Sequence, residues 1–376
     1  MSLLGVHLAT MIGPTVPVPL PGDIAGAIEQ VVVQVEDEQP AGCQITFRTG
    51  KSQGTGAVSD LVLRTLLRLG ARVVLTVTVG AIPSVLFDGY ITRKEANPGQ
   101  RPGESTLTIS CVDQTFKMGL EEKSAEYPAQ PDALIATQII ATYGLIPLVI
   151  PPVSFDVPLP TERVPVQQGT DLSFLRSLAS QYGYVFYVVP GPLPLMNTGY
   201  WGPPIRVGVL QSALNVDMGP FTNVERLEAS SSNDTPTLVQ GQVLDRQTGQ
   251  KLPVFTIGSS RIPLGREPVV TYDLTAMRTQ ILRDPGVNSI QAFARAQAIT
   301  DASTDSPLTA TGSLNTARYG SVLQPRALVG VRGIGDDFDG NWYVKRVTHT
   351  LKKGSYLQDF SLTRGEIGAL LPLVLP

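Results

Sequence analysis

The sequence predicts a mainly β fold carrying an α+β insert. Three observations predict it. Apolar and polar residues alternate with a period of two through most of the first 113 residues and again beyond residue 235. Turn signals rich in Gly and Pro separate the runs at short, regular spacing. Between the two β-rich stretches the pattern changes to two segments of helical period.

Residues 1–30 hold Pro14, Pro17, Pro19 and Pro21 and read as an extended arm. Val31, Val33 and Val35 then alternate, followed after Gly42 by Ile45 and Phe47. A short helix is expected within 55–69, on Leu61, Leu63, Leu66 and Leu67. Val73, Leu75, Val77 and Val79 share one face of the next strand. Residues 85–92 make another, and residues 106–112 the cleanest, with Leu107, Ile109 and Cys111 facing in. Five or more such strands point to a barrel or a sandwich.

After Asp113, Asp132 is placed to cap a helix carrying Ile135, Ile139 and Tyr143, which Gly144 ends. A Pro-heavy link spans 147–165. Thr170 is the expected N-cap of a second helix whose Leu172, Leu175, Leu178 and Tyr182 share a face; a strand follows at 184–189. Ser230-Ser231-Ser232-Asn233-Asp234 reads as a boundary. Beyond it, a helix is expected over 289–302 with Ile290, Phe293, Ala296 and Gln297 in register. The last strands form a hairpin turned at Lys353-Gly354, with Tyr356, Phe360 and Leu362 on one face. Phe87-Asp88-Gly89-Tyr90-Ile91-Thr92 is echoed by Phe338-Asp339-Gly340-Asn341-Trp342-Tyr343-Val344, as two β domains built alike would leave.

Only 16% of the 376 residues are charged, against roughly 25% in an average soluble protein. A large chain so poor in charge is expected to cover much of its surface in permanent contacts. The net charge of −3 and the lack of a basic block argue against nucleic acid as a partner. No signal peptide and no membrane span is expected. Cys43 and Cys111 read as reduced thiols, with Cys111 in a core.

Catalytic chemistry finds little support. His7 and His349 are the only histidines, and His349 sits among strand residues. Gly333-Ile334-Gly335 precedes a strand rather than a helix, which a dinucleotide loop would need. Asp336, Asp337 and Asp339 lack the ligand order of a calcium loop and fit a hairpin turn. Glu121 and Glu122 are adjacent and point apart. Tyr182, Tyr184, Phe186 and Tyr187 fit a helix–strand core better than a stacking platform, since no cationic groove accompanies them. No catalytic residue, metal or cofactor is expected.

Several segments taken in order resemble one family. Gly-Thr-Asp-Leu-x-Phe-Leu-Arg-x-Leu-Ala-x-x-Tyr-Gly-Tyr-x-Phe-Tyr-Val at 169–188 resembles the middle of the phage late-control protein D family, the tail-hub proteins of contractile phages and related injection machines. The strand pair at 85–113 is similar to its first barrel, and Asp132 to Leu145 to its first linking helix. Asp339-Gly340, Trp342-Tyr343-Val344, His349, Tyr356 and Leu362-Thr363-Arg364 are similar to its C-terminal hairpin. The matches run from about residue 30 to 365.

The resemblance implies two similar antiparallel β-barrel domains, at 31–119 and 231–365, flanking an α+β region at 120–230, with an arm at 1–30 and an apolar tail at 366–376. It implies a trimeric ring that adapts a six-fold inner tube to a three-fold spike. It implies a non-enzymatic baseplate hub, assembled in a bacterial cytoplasm into a virion or injection particle. The expected partners are two further copies, the tube ring, baseplate wedge or sheath-associated proteins, and a separate spike, because the chain stops soon after Arg364. Expected interface residues are Phe87, Tyr90, Leu107, Trp342, Tyr343, Val344, Tyr356, Phe360 and, in the tail, Leu373. The competing readings are a receptor- or glycan-binding tail-tip protein and a cell-wall glycan hydrolase.

Overall fold

A computed structural model describes residues 5–49, 66–101, 104–153, 158, 164–191, 193–232, 236–244, 249–269, 278–283 and 288–370. The chain is mainly antiparallel β. Its first sheet uses β1 (His7–Gly13), β2 (Val18–Pro19), β3 (Ile28–Glu36), β4 (Gly42–Arg48), β5 (Arg72–Val79), β6 (Ile82–Asn97) and β7 (Thr106–Asp113), with the short helix α1 (Gly22–Gly26) between β2 and β3. Strand order is β1-β5-β6-β7-β4-β3, with β2 added outside β1. The inward faces hold Val31, Val33, Ile45, Phe47, Val73, Leu75, Val77, Leu107, Ile109 and Cys111, as the alternation requires. Cys43 and Cys111 face each other across β4 and β7 as buried free thiols.

The arm expected at 1–30 is largely part of this sheet. His7–Gly13 pairs along its whole length with β5. Its pattern, with Leu8 half-buried and Ala9 exposed, lacks the β-branched alternation that marks the other strands. The helix expected near 55–69 falls mostly on residues outside those described. Leu67 enters the first core.

The middle region contains α2 (Thr115–Met118), β8 (Glu122–Glu126), α3 (Asp132–Thr142), β9 (Ile146–Val149), β10 (Val166–Thr170), α4 (Asp171–Ser180), β11 (Val185–Pro190) and β12 (Asn197–Gly202). Helices α3 and α4 pack on the sheet β11-β12-β9 through Ile135, Ile140, Leu175, Leu178, Phe186 and Trp201. Gly199 permits that approach, since a Cβ there would meet Ile140 Cγ2 at 2.6 Å. Strand β9 lies inside the stretch expected to be a Pro-rich link. It runs parallel to β12, with Pro147 tolerated at a sheet edge.

Thr170 caps α4, its Oγ1 accepting from the Ser173 amide at 3.2 Å. Asp132 does not cap α3. Pro131 holds the N-cap position, and the Asp132 carboxylate accepts from the Tyr182 hydroxyl at 2.7 Å instead. The next residue of the Gly-Thr-Asp motif, Asp171, gathers Lys123, Tyr143 and the Gln167 amide at 2.6 Å each, joining both helices to the β8–β10 pair. Burial alone would raise this carboxyl, but those donors outweigh it and hold its pKa below the ordinary value.

The second sheet uses β13 (Gln211–Asn215), β14 (Val224–Ser231), β19 (Leu308–Asn315), β20 (Leu328–Arg332), β21 (Gly340–Lys352) and β22 (Ser355–Arg364). Its order is β13-β20-β21-β22-β19-β14. Because β13 and β14 already pair with β20 and β19, this sheet begins ahead of the Ser-rich run at 230–234. Between β14 and β19 the chain makes an insert of β15 (Thr237–Leu244), β16 (Lys251–Phe255), β17 (Gly265–Pro268), β18 (Arg278–Ile281) and α5 (Ser289–Thr304). The helix α6 (Thr316–Tyr319) links β19 to β20, and β23 (Glu366–Ala369) pairs with β17.

The buried face of α5 is Ala292, Ala296 and Thr300; Ile290 and Phe293 are exposed. The helical spacing was readable, but its face was not. Small residues sit where the helix meets β15 and β16 closely, and the large ones point away.

Numbered along the chain within each sheet, the two strand orders are the same: first, fourth, fifth, sixth, third, second. Two irregularities match as well. Each fifth strand has one extra residue against the sixth, Thr92 in β6 and Lys345 in β21. Each second strand has one against the third, Glu29 in β3 and Glu225 in β14. The Ile91 amide donates to the Ala71 carbonyl and the Val344 amide to that of Ala327, both at 2.9 Å. The bulges therefore align Tyr90-Ile91-Thr92-Arg93 with Tyr343-Val344-Lys345-Arg346. The echo expected from Asp88-Gly89 and Asp339-Gly340 is real in kind but shifted by two residues. The sheets also differ: β1 is antiparallel to β5 and β13 parallel to β20, the register shifts in β5–β6 and in β13–β20 are not shared, and β2 has no counterpart.

Candidate assembly interface

The two sheets are one continuous sheet, because β21 also pairs with β3. On one edge β21 divides its length. Its first half bonds β20, and its second half bonds β3 antiparallel, from Arg346 opposite Glu36 to Lys352 opposite Gln30. This seam is dry: Val31, Val33, Val347, His349 and Leu351 are buried. The tip of the β21–β22 hairpin leaves its own unit, and its Leu351 and Tyr356 enter the first core.

His349 stands opposite Val33, and its Nδ1 lies 2.9 Å from the Tyr356 hydroxyl. Complete burial pulls its pKa down to about 3, so the imidazole is neutral and structural. At the end of the seam the Asp37 amide donates to the Lys345 carbonyl at 3.2 Å. Burial pushes the Asp37 carboxyl up to about 6, with Lys345 opposing the shift.

Arg326 clamps this corner. Its guanidinium donates to the carbonyls of Glu36, in the first unit, and Val188, in the middle region. It stacks over the Tyr187 ring at 3.9 Å. Its backbone is left-handed, with φ of 63°. The aligned position in the first unit is Gly70, with φ of 80°. The Gly70 amide donates to Ile91 as the Arg326 amide donates to Val344, both at 2.7 Å. A second joint lies at Asp88, which accepts two hydrogen bonds from Arg72, at 2.7 and 2.8 Å, and one from Asn197 of the middle region at 3.0 Å.

The sequence-expected interface residues lie inside the chain. Phe87, Leu107 and Tyr356 belong to the first core, and Trp342, Val344 and Phe360 to the second. Tyr343 packs with Leu264 and Leu328, and Tyr90 is buried against Lys117. They fill cores rather than facing outward, because large aromatic residues on alternating strands fill cores first. Leu373 lies outside the described residues.

Among the strand edges left open in the described residues, two stand at the positions that the seam uses. Beyond Ile91, β6 pairs only with β7, and its residues 93, 94, 96 and 97 are exposed. Strand β14 pairs only with β19, and Glu225, Arg226, Glu228, Ser230 and Ser231 are exposed. Sequence reasoning missed both, because their polar composition reads as ordinary surface. The signal that identifies them is the alignment of bulges, which needs the pairing.

The other candidate chemistry resolves into structure. Residues 333–339 form a turn in which Asp339 Oδ1 accepts from the Ile334 amide at 2.9 Å. The buried Arg364, its pKa pulled down to about 10 by burial, donates to the carbonyls of Asp337 and Asp339. Tyr182 and Tyr184 pack edge-on against Trp201, and Phe186 and Tyr187 are buried. A cleft of about 460 Å³ between the middle region and the second unit is lined by Arg206, Arg261 and Asp305, which pair with one another. Among the described residues no cluster of three or more potential metal ligands occurs, and no helix is long and apolar enough to cross a membrane.

No protein-family model matches the chain, and no curated protein matches it in sequence. Solved structures do share its fold. A tail protein from Neisseria meningitidis MC58 superposes with a TM-score of 0.65 at 12% identity, over 96% of this chain and 97% of that one. The 43 kDa tail protein of prophage MuSo2 from Shewanella oneidensis gives 0.64 at 12% identity, over 96% and 99%. A component of the E. coli type VI secretion system, described as similar to the T4 bacteriophage tail proteins gp27 and gp5, gives 0.56 at 12% identity, over 92% and 77%. The fold is therefore that of phage tail and type VI secretion proteins over nearly the whole chain.

Proposed function

We propose that this chain is a structural, non-enzymatic hub at the base of a contractile tail or injection particle. Three copies form a ring that adapts a six-fold tube to a three-fold spike. The observation that carries this reading is the repeated strand order, shared bulges included, within one polypeptide. Two like units per chain let three chains present six like units around an axis, which a tube ring of six subunits can meet. The remaining three-fold character lies in what differs between the units, the middle region and the insert between β14 and β19. The partners would be two further copies, the inner tube ring, the spike, and wedge or sheath-associated proteins.

Three features support the reading. The solved structures sharing the fold are tail and secretion-system components. The charge content of 16% suits a chain enclosed by neighbours. Buried charged groups such as Arg326, Asp88 and Arg364 serve backbone carbonyls or an ion-pair partner.

Size-exclusion chromatography with light scattering tests it. The expected species holds three chains of 40.2 kDa each at micromolar concentration. A stable monomer there would overturn the reading. Cell-wall glycan cleared by the pure protein would favour a hydrolase instead.

A further inference from the structure

The internal seam is a template for a second seam that one chain cannot make. Aligned through their bulges, β21 corresponds to β6 and β3 to β14. In the chain, the second half of the second unit's fifth strand bonds the second strand of the first unit. The complementary pair is the second half of the first unit's fifth strand and the second strand of the second unit. Those are residues 93–97 of β6 and strand β14, and both edges are open among the described residues.

Resting on the hub reading above, we propose that these edges join neighbouring copies. Residues 93–97 of β6 add antiparallel to β14 of a second copy, continuing the sheet around the ring. The internal register carries over through the two alignments. Lys94 stands opposite Ser231, Glu95 opposite Ser230, Ala96 opposite Ala229, and Asn97 opposite Glu228 of the second copy.

Independent observations support the choice of a second copy. An open edge presents a row of unsatisfied amides and carbonyls, which another strand satisfies. The edges are unlike each other, so the contact is head to tail, and head-to-tail contacts generate rings when the rotation closes. The β6–β7 tip also projects as the β21–β22 tip does, with Pro98, Gly99, Gln100 and Arg101 exposed. The latter tip fills the neighbouring unit's core through Leu351 and Tyr356, and the former enters no second core among the described residues. Their polar character fits an edge that must remain soluble until a partner arrives.

Disulfide trapping tests the proposal. Chains carrying Glu95→Cys and Ser230→Cys, and separately Lys94→Cys and Ser231→Cys, are oxidised and run on a denaturing gel without reductant. Opposed residues in an antiparallel pair have Cα separations of about 4.5–5.5 Å, within disulfide reach. At least one pair is expected to give a ladder ending at the ring size that light scattering reports. Mixing Glu95→Cys chains with Ser230→Cys chains is expected to give dimers only, since each carries one half of the seam. Glu95→Cys with Ala229→Cys is the control, because a one-residue slip puts the thiols on opposite faces. A ring that forms but is trapped by neither mapped pair overturns the seam while leaving the hub reading intact. Equal trapping by the slipped pair overturns the register. Monomers by light scattering overturn both readings together.

Discussion

The edge that β3 gives to β21 and the edge that β14 leaves open are the same strand position built twice, with opposite chemistry. Val31, Val33 and Val35 are buried on β3; their counterparts on β14 are Leu227, Ala229 and Ser231, half-buried or exposed. The strand order is common to both units, so topology did not decide this difference. Covalent connection did. The internal seam forms whenever the chain folds, so it can be as apolar as a core. An edge that meets its partner only after folding has to remain soluble, and polar side chains keep it so.

The largest expected effect separates the two edges directly. Val33→Asp places an unpaired carboxylate in the first core and is expected to cost about 5 kcal/mol or more. At the aligned position, half-buried Ala229→Asp is expected to cost the fold about 1–2 kcal/mol, well below the Val33 loss, and to act on assembly as well. Urea unfolding of both variants checks it. Equal losses would mean that the edges have the same surroundings.

Acid gives the next effect. His349 has its folded pKa lowered from 6.5 to about 3, so the stability carried by its neutral form is present above pH 6.5. It is lost as the pH falls from there toward 3, by about 4 kcal/mol at pH 3.5. His349→Gln keeps a polar partner for Tyr356 and removes the titration. Stability measured between pH 7 and 3.5 is expected to fall more steeply in the parent than in the variant. Parallel curves would remove His349 as the source.

At the corner of the seam, Arg326→Ala withdraws the donors to Glu36 and Val188 and the stack on Tyr187. Two buried carbonyls lose their partner, for an expected cost of about 3 kcal/mol. Chemical denaturation measures it, and a loss below about 1 kcal/mol would mean that the clamp is replaced by backbone pairing alone.

Much of this architecture can be read from the sequence, and the rest cannot for identifiable reasons. Strands such as β3, β4 and β7 are legible because one face is buried and the other is not, which stamps a period of two. The second helix is legible from Thr170, since the cap is a local bond. Strand β1 is not, because its partner β5 lies about sixty residues away or more and its own alternation is faint. The repeat is half legible. Asp88-Gly89 and Asp339-Gly340 draw the eye, but the bulges at Thr92 and Lys345 set the true alignment, and a bulge is a property of two strands. The interface is not legible, because the residues that look adhesive, Trp342 and Phe360 among them, are used up in cores.

Asp37 has the sign opposite to His349. Its folded pKa is raised from 3.8 to about 6, so the folded state holds a proton that the unfolded chain releases between those values. Stability is fully present below about pH 4 and is lost as the pH climbs through 6, by up to about 3 kcal/mol. Asp37→Asn is therefore expected to raise the unfolding midpoint at pH 7.5 by about 2 kcal/mol and to leave it unchanged at pH 4. Gains of equal size at both values would assign the effect to packing rather than charge.

The smallest effect concerns Gly70, the first-unit counterpart of Arg326. Both sit in the left-handed region, at φ of 80° and 63°. A Cβ at Gly70 would meet nothing within 4 Å, so Gly70→Ala isolates backbone strain from packing. The expected loss is about 1 kcal/mol, the ordinary penalty for a side chain in that conformation. Arg326 bears the same strain and offsets it with its clamp; Gly70, with no seam of its own chain to hold, avoids the strain instead. Gly70→Asn should recover part of the loss, since Asn tolerates this region. Thermal unfolding of the three chains measures the order Gly, Asn, Ala. An Ala variant as stable as the parent would mean that the loop relaxes out of the left-handed region, and that the two corners are alike in sequence position but not in backbone constraint.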